Sequence, residues 1–125
     1  MRNITTHHTN ECNKALLIDA EDRNENGVTK LYVIRVTDVP GRTVGVPRVV
    51  ALPFQYGPIA EVGVNGLTLE SLYAIILDQL EGYQSSKFAN EFNETALNFT
   101  RGALVALEAR TKQRTERGVE GTHAV

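Results

Sequence analysis

Cysteine is nearly absent: Cys12 is the only one among 125 residues. A single thiol closes no internal disulfide, and no CxxC pair offers a metal-binding corner. A reducing, intracellular setting is therefore expected. Long apolar runs are missing too. None reaches the ~18 residues a membrane helix needs, and the opening MRNITTHHTNECNK is too polar for a secretory leader. These two absences predict a soluble, cytoplasmic protein with no membrane partner. Charge of one sign is lacking as well. With 13 Lys and Arg against 15 Asp and Glu, the formal net charge is −2. That excludes a general polyanion binder and leaves only local basic patches. The catalytic signatures GxSxG and GxxxxGK[ST] do not occur. GVNG at 63–66 is too short for a phosphate loop and reads as a turn. His7 and His8 are adjacent and His123 is remote, which falls short of the three or four spaced ligands of a zinc site. No metal and no cofactor are expected. Internal repeats and low-complexity tracts are also absent.

What remains reads as one α+β domain: a small N-terminal antiparallel β-sheet, then a C-terminal two-helix hairpin. Residues 1–14 form a polar arm in this reading. ALLIDA (15–20), KLYVIRVTDV (30–39) and PRVVALPFQYGPI (47–59) are the strand-like runs of a sheet region over 15–62. The first two flank EDRNENG, whose Asn26-Gly27 is a hairpin signal. Pro53 places the third at an edge or a bend.

The hairpin spans 67–117. Thr68 is an N-cap, with Glu70 in the first turn. Leu69, Leu72, Tyr73, Ile76, Leu80 and Tyr83 follow at helical spacing. Ile75 and Leu77 fall outside that stripe, so the helix is apolar around much of its circumference and needs cover on more than one side. A second helix from about 89 to about 117 carries a heptad-like seam of Phe92, Ala96, Phe99, Ala103, Ala106 and Arg110. At ~1.5 Å per residue it is roughly 42 Å long. Both features predict a homo-oligomer, a dimer or higher, joined through the helices. Gly118 is a natural C-cap, opening a tail over 118–125.

Between the helices lies EGYQSSKFANEFNET (81–95), with Tyr83, Lys87 and the amides Gln84, Asn90 and Asn93. Tyr83 either closes the core or offers a stacking face, worth ~1–3 kcal/mol for a base. Asn93 either caps a helix or reads a base edge or ribose through its amide. The basic end of the second helix (Arg110, Lys112, Arg114, Arg117) either complements the helix dipole or clamps phosphate. Arg110 sits on the seam, where a guanidinium needs a partner. Asn93 and Arg110 are roughly 25 Å apart along one helix, so one small ligand meets both only between subunits.

GPIAEVGVNGLTLESLYAIILDQLEGYQS, FANEFNETAL and EARTKQRTERGVEGTHAV, with the opening ITTHHTNECNKALLIDA, resemble the first Thoeris anti-defence family of phage and prophage proteins. The resemblance runs over nearly the whole chain. It implies a non-enzymatic sponge that captures glycocyclic ADP-ribose, the cyclic ADP-ribose isomer made by a TIR-domain enzyme, without breaking it. It also implies dimers and higher assemblies such as hexamers, and a pocket to which Tyr83, Asn93 and Arg110 correspond. Tyr83 would stack on adenine, Asn93 would hydrogen-bond the ligand and Arg110 would pair with phosphate. Thr122 and His123 match the GTH element of the tail and take a place near the ligand. Glu91 stands where many relatives carry arginine, and its carboxylate repels phosphate, which argues against a second site for cyclic oligonucleotides. The helical hairpin also resembles the second anti-CBASS family, a cyclic-nucleotide sponge. Two other classes remain open: a cyclic-nucleotide hydrolase using His123 as acid or base, and a nucleic-acid binder using the basic helix end. No nucleic-acid polymer is the expected partner.

Overall fold

A computed structural model describes residues 1–37 and 48–125. The expected strand ends at 38–39 and 47 lie outside the described residues. The chain divides into two compact units, Met1–Tyr56 and Gly57–Val125.

The first unit is a four-stranded antiparallel sheet in sequence order. Its strands are β1 (Arg2–Ile4), β2 (Leu16–Ala20), β3 (Leu31–Val36) and β4 (Val49–Pro53). A one-turn helix, α1 (Glu11–Lys14), precedes β2 and is capped by Asn10, whose side chain accepts from the Asn13 N–H. The sheet and its three later strands were legible in the sequence. Residues 1–14, expected as a polar arm, instead carry β1 and α1. Arg2 pairs with Ala20 and Ile4 with Ile18. The Arg2 guanidinium donates to Thr29 Oγ1 at 2.7 Å, and that hydroxyl donates on to the Glu21 carbonyl at 2.9 Å. His7 Nε2 lies 2.6 Å from the Leu16 carbonyl. The strand is short and polar because it is an edge, where little apolar surface is needed and long flat edges invite wrong pairing.

The β2–β3 hairpin forms, with a longer loop than a two-residue Asn-Gly turn. Asn24 organises it: its side-chain oxygen accepts from the N–H groups of Asn26 and Val28, and its carbonyl accepts from Gly27. This is an Asx-type turn, a role asparagine fills by copying a backbone carbonyl. Across β2 and β3, Asp19 and Arg35 pair diagonally on one face. β4 ends at Pro53 on the other edge of the sheet, the place where a missing N–H is tolerated. Tyr32 and Phe54 meet edge to face with centroids 5.6 Å apart.

The second unit holds α2 (Ile59–Val62), α3 (Leu69–Gln84) and α4 (Glu91–Glu116). Thr68 caps α3 as expected. Its hydroxyl accepts from the Ser71 N–H at 3.1 Å, and Ser71 Oγ returns the bond to the Thr68 N–H at 3.2 Å, a reciprocal capping box. Asn90 caps α4 by accepting from the Asn93 N–H at 2.8 Å.

The face of α4 turned inward is distinct from the heptad-like seam, which the sequence assigns to an oligomer. Leu97 and Thr100 are buried, and Asn93, Leu104, Leu107, Thr111 and Arg114 are half-buried. Those positions recur by four and three, one residue later than the seam of Phe92, Ala96, Phe99, Ala103, Ala106 and Arg110. Buried Thr100 donates its hydroxyl to the Ala96 carbonyl at 2.8 Å, so no polar group is stranded. Opposite it, α3 presents Glu70, Tyr73, Leu77, Leu80 and Gln84, all half-buried. Most of the earlier seam faces outward: Phe92 is 77% exposed and Phe99 76%, and Ala96, Ala106 and Arg110 are exposed, while Ala103 is half-buried. Tyr83 does not close the core either, being 46% exposed. Leu69, Ile75, Ile76 and Val105 are exposed too. α3, expected to need cover on more than one side, leaves Leu69, Ile75 and Ile76 exposed.

Candidate functional site

The functional candidates gather at the two ends of the hairpin. At the turn end, the crowded amides tie the helices together. Gln84 donates to the Asn90 carbonyl at 3.1 Å and to Glu94 Oε2 at 3.0 Å, and accepts from the Asn90 N–H at 3.1 Å. Gln84 and Asn90 are thereby committed to closing the turn. The Asn90 side-chain amide also donates to the Phe88 carbonyl at 3.0 Å, which fixes the loop before α4.

That closure holds an aromatic corner outside the core. The rings of Tyr83 and Phe88 meet edge to face with centroids 6.4 Å apart, and Lys87 Nζ lies 5.3 Å from the Phe88 ring centre. Asp78, Gln79, Gly82, Tyr83, Ser86 and Phe88 line an open hollow of about 400 Å³ beside it. Such a corner presents π-faces, a cation and a carboxylate to a planar polar ligand. The sequence reading missed Phe88, and an aromatic beside a lysine in an interhelix turn was the available signal. Asn93 lies at the same end, on the inward face of α4. Its N–H is taken by Asn90, while its side chain is not engaged in that bond.

At the other end, α4 closes in a Schellman motif. The Gly118 N–H donates to Thr115 and the Val119 N–H to Arg114, with Gly118 at φ +71°. The chain then turns back through Gly121, at φ +79°, whose carbonyl accepts from the Ala60 N–H of α2 at 3.1 Å. A Cβ at Gly121 would meet ordinary neighbours at 3.6 Å from Ala60 N and 3.7 Å from Ile59 Cβ. Glycine is needed there for the backbone angle. The GPIAEV block and the GVEGTH tail, far apart in sequence, thus form one structural unit. His123 Nε2 lies 3.7 Å from Glu61 Oε2 of α2. Thr122 stays local, its hydroxyl donating to the Val119 carbonyl and accepting from the Ala124 N–H.

Arg110 and Arg114 lie one helical turn apart at this end and share a hollow of about 270 Å³ with Thr111 and Glu120. Arg110 has a partner within its own chain: its guanidinium donates to Glu70 Oε1 at 3.4 Å. Both groups reach solvent, so this is a weak, exchangeable contact that leaves the guanidinium available. The partner that the seam position of Arg110 calls for is Glu70 of its own chain. The structure therefore groups Tyr83 with Phe88 and the Asn90–Asn93 turn, and groups Arg110 with Thr111, Arg114 and Glu120, while His123 lies against Glu61 of α2. It does not bring Tyr83 and Arg110 together within one chain. Among the described residues no cluster of three or more His, Cys, Asp or Glu could hold a metal ion, and no helix is long and apolar enough to cross a membrane.

No family model matches the chain. Among curated proteins it is similar to one named Thoeris anti-defense 1 from Bacillus phage SBSphiJ7, with 43% identity over 70 residues. The aligned part is 56% of this chain and 49% of the phage protein, so the chain spans about half the length of the curated relative it matches. The resemblance to the first Thoeris anti-defence family stands on this relative.

Proposed function

From that kinship, we propose that this chain is a phage anti-defence protein that captures glycocyclic ADP-ribose inside the infected bacterium and withholds it from Thoeris immunity without cleaving it. The observation that carries the reading is the 43% identity to the phage protein of that name. The geometry supports it in two ways. The hairpin offers a stacking corner at one end, Tyr83 with Phe88, and an available guanidinium at the other, Arg110. A cyclic dinucleotide-like ligand needs both, a face for adenine and a cation for the diphosphate. In addition, the seam of exposed Phe92, Ala96, Phe99 and Ala106, with half-buried Ala103 between them, offers a second copy a place to dock. A neighbour packed along that seam in the opposite sense would bring its Arg110 toward this chain's Tyr83 and Asn93. The pocket is then enclosed by subunits, as tight capture without chemistry requires.

The test is capture and release. Purified protein is mixed with glycocyclic ADP-ribose, the free ligand is measured, and the protein is then denatured and the ligand measured again. Loss followed by intact recovery is the expected result. Recovery as a new species would point instead to hydrolysis involving His123. Failure to capture would overturn the reading and turn the search to cyclic oligonucleotides. Tyr83→Ala and Arg110→Ala should each weaken capture at least tenfold, in line with the ~1–3 kcal/mol of a stacked base, while the folded assembly persists. Unchanged capture in both would sink the site assignment.

A further inference from the structure

We propose that Arg114 is the positioning residue of the ligand pocket: it clasps the C-terminal tail shut and so holds the loop that carries Thr122 and His123 at the Arg110 end of α4. This rests on the function proposed above. The two arginines differ sharply in what holds them. Among the described residues, Arg110 has one contact, to Glu70 at 3.4 Å, and its side chain is 54% exposed. Arg114 is only 21% exposed and spends its whole guanidinium on the tail. Its Nε donates to Glu120 Oε2 at 3.0 Å and its Nη1 to the Ala124 carbonyl at 2.7 Å. Its Nη2 donates to the carbonyls of Val119 at 3.0 Å and Thr122 at 3.4 Å. The acceptors lie on four residues between 119 and 124 and converge on one planar group. The adjacent Arg117 adds a bond to the Val125 carbonyl at 2.6 Å.

This arrangement suits arginine and no other side chain. A tail that has left the helix presents carbonyls in several directions, and only a guanidinium carries five donors in a fixed fork. Lysine has three donors on one atom and cannot span these acceptors. Arg114 stands at the end of the inward face that runs from Asn93 through Leu97, Thr100, Leu104, Leu107 and Thr111. Its side chain is half-buried there, and its head is held by the tail. With Arg114 committed to Glu120 and to carbonyls, Arg110 is the arginine of this hollow left for an anion. The tail is held from its other side by the Ala60–Gly121 bond and by His123 near Glu61. The clasp thus fixes a loop that carries Thr122 and His123 and otherwise has two glycine pivots, Gly118 and Gly121.

The experiment compares Arg114→Gln and Arg114→Lys with the unsubstituted full-length chain in two readouts. Amide hydrogen exchange without ligand should show Thr122 and Ala124 exchanging at least tenfold faster in both variants, with the α3 and α4 amides unchanged. Capture of glycocyclic ADP-ribose should weaken at least fivefold in both, lysine giving no rescue. In a chain already carrying Thr122→Ala and His123→Ala, adding Arg114→Gln should change capture less than twofold, because a residue that acts through the tail has nothing left to position. An undiminished further loss in that background would make Arg114 a direct ligand contact and overturn the proposal. So would unchanged tail exchange, or a released tail with unchanged capture. Glu120→Gln, which removes one acceptor's charge and leaves α4 untouched, should move both readouts in the same direction by less, and it decides the matter if the Arg114 variants misfold. A chain that never captures ligand fails at the function itself. That failure is distinct, because tail exchange still reports whether the clasp exists.

Discussion

Two faces of α4, one residue apart in register, have opposite fates. The inward face, with Leu97 and Thr100 buried, packs on α3. The outward face carries the larger side chains, Phe92 and Phe99, and leaves them 77% and 76% exposed. Both faces repeat by four and three, so both satisfy the same helical period. Size does not choose between them; complementarity to α3 does. Leucines and a self-satisfied threonine fit between the half-buried Tyr73, Leu77 and Leu80, while alanines flanking two phenylalanines make a surface that another helix could approach closely. Large apolar groups gathered on one face are a common mark of an interaction site, and the proposed assembly would cover these.

The sharpest way to break the comparison is to cut the inward face. Leu97 is 3% exposed, and Leu97→Ala should cost about 2–5 kcal/mol, measured as a shift in the denaturant midpoint. A cost near zero would mean that the inward face is not the core of the hairpin. A smaller effect is expected at the turn. Gln84→Ala removes the bonds to Asn90 and Glu94 and should cost about 1–2 kcal/mol. It should also loosen the Tyr83–Phe88 corner, read as faster amide exchange at Phe88, whose N–H donates to Ser86 Oγ at 3.1 Å. If exchange there is unmoved, the amides do not support the corner.

These contrasts also show what was readable in advance. The Thr68 cap, the two long helices, the edge position forced by Pro53 and the Gly118 terminus were legible because each depends on residues within one turn of one another. The face of α4 that packs on α3 was not, since two faces offset by one residue share the same spacing and only the Phe92–Arg110 seam, read as an oligomer contact, stood out. β1 was hidden because Arg2–Ile4 is too short to show alternation and is fixed by Thr29, far along the chain. At the site, Tyr83 and Arg110 stood out by residue type. The Glu70 partner of Arg110 lies 40 residues away and the Arg114 clasp needs the tail to fold back, so neither has a local signature. Of the turn's amides, Asn93 alone is a ligand candidate in the sequence, and Gln84 and Asn90 serve the turn. An amide looks the same in sequence whether it faces a ligand or a backbone carbonyl.

The smallest effect on the chain's own stability should come from the outward face, and it is the most informative. Phe99→Asp replaces a side chain that touches little within the chain, so the dissociated chain should lose no more than about 0.5 kcal/mol. If the seam joins subunits, the same change buries a carboxylate with no partner in each interface, and association should fail. Sedimentation over a range of protein concentrations separates the two terms, because only the association term depends on concentration. The expected outcome is an assembled parent chain, a monomeric Phe99→Asp variant that keeps its helix content, and loss of glycocyclic ADP-ribose capture along with the assembly. A parent chain that stays monomeric at every concentration would leave the outward phenylalanines without a second copy and remove the subunit-enclosed pocket. A Phe99→Asp variant that stays assembled would move the interface to the exposed Leu69, Ile75 and Ile76 of α3. A monomeric variant that still captures ligand would mean that one hairpin suffices, and that the distance between Tyr83 and Arg110 is bridged by something other than a neighbouring chain.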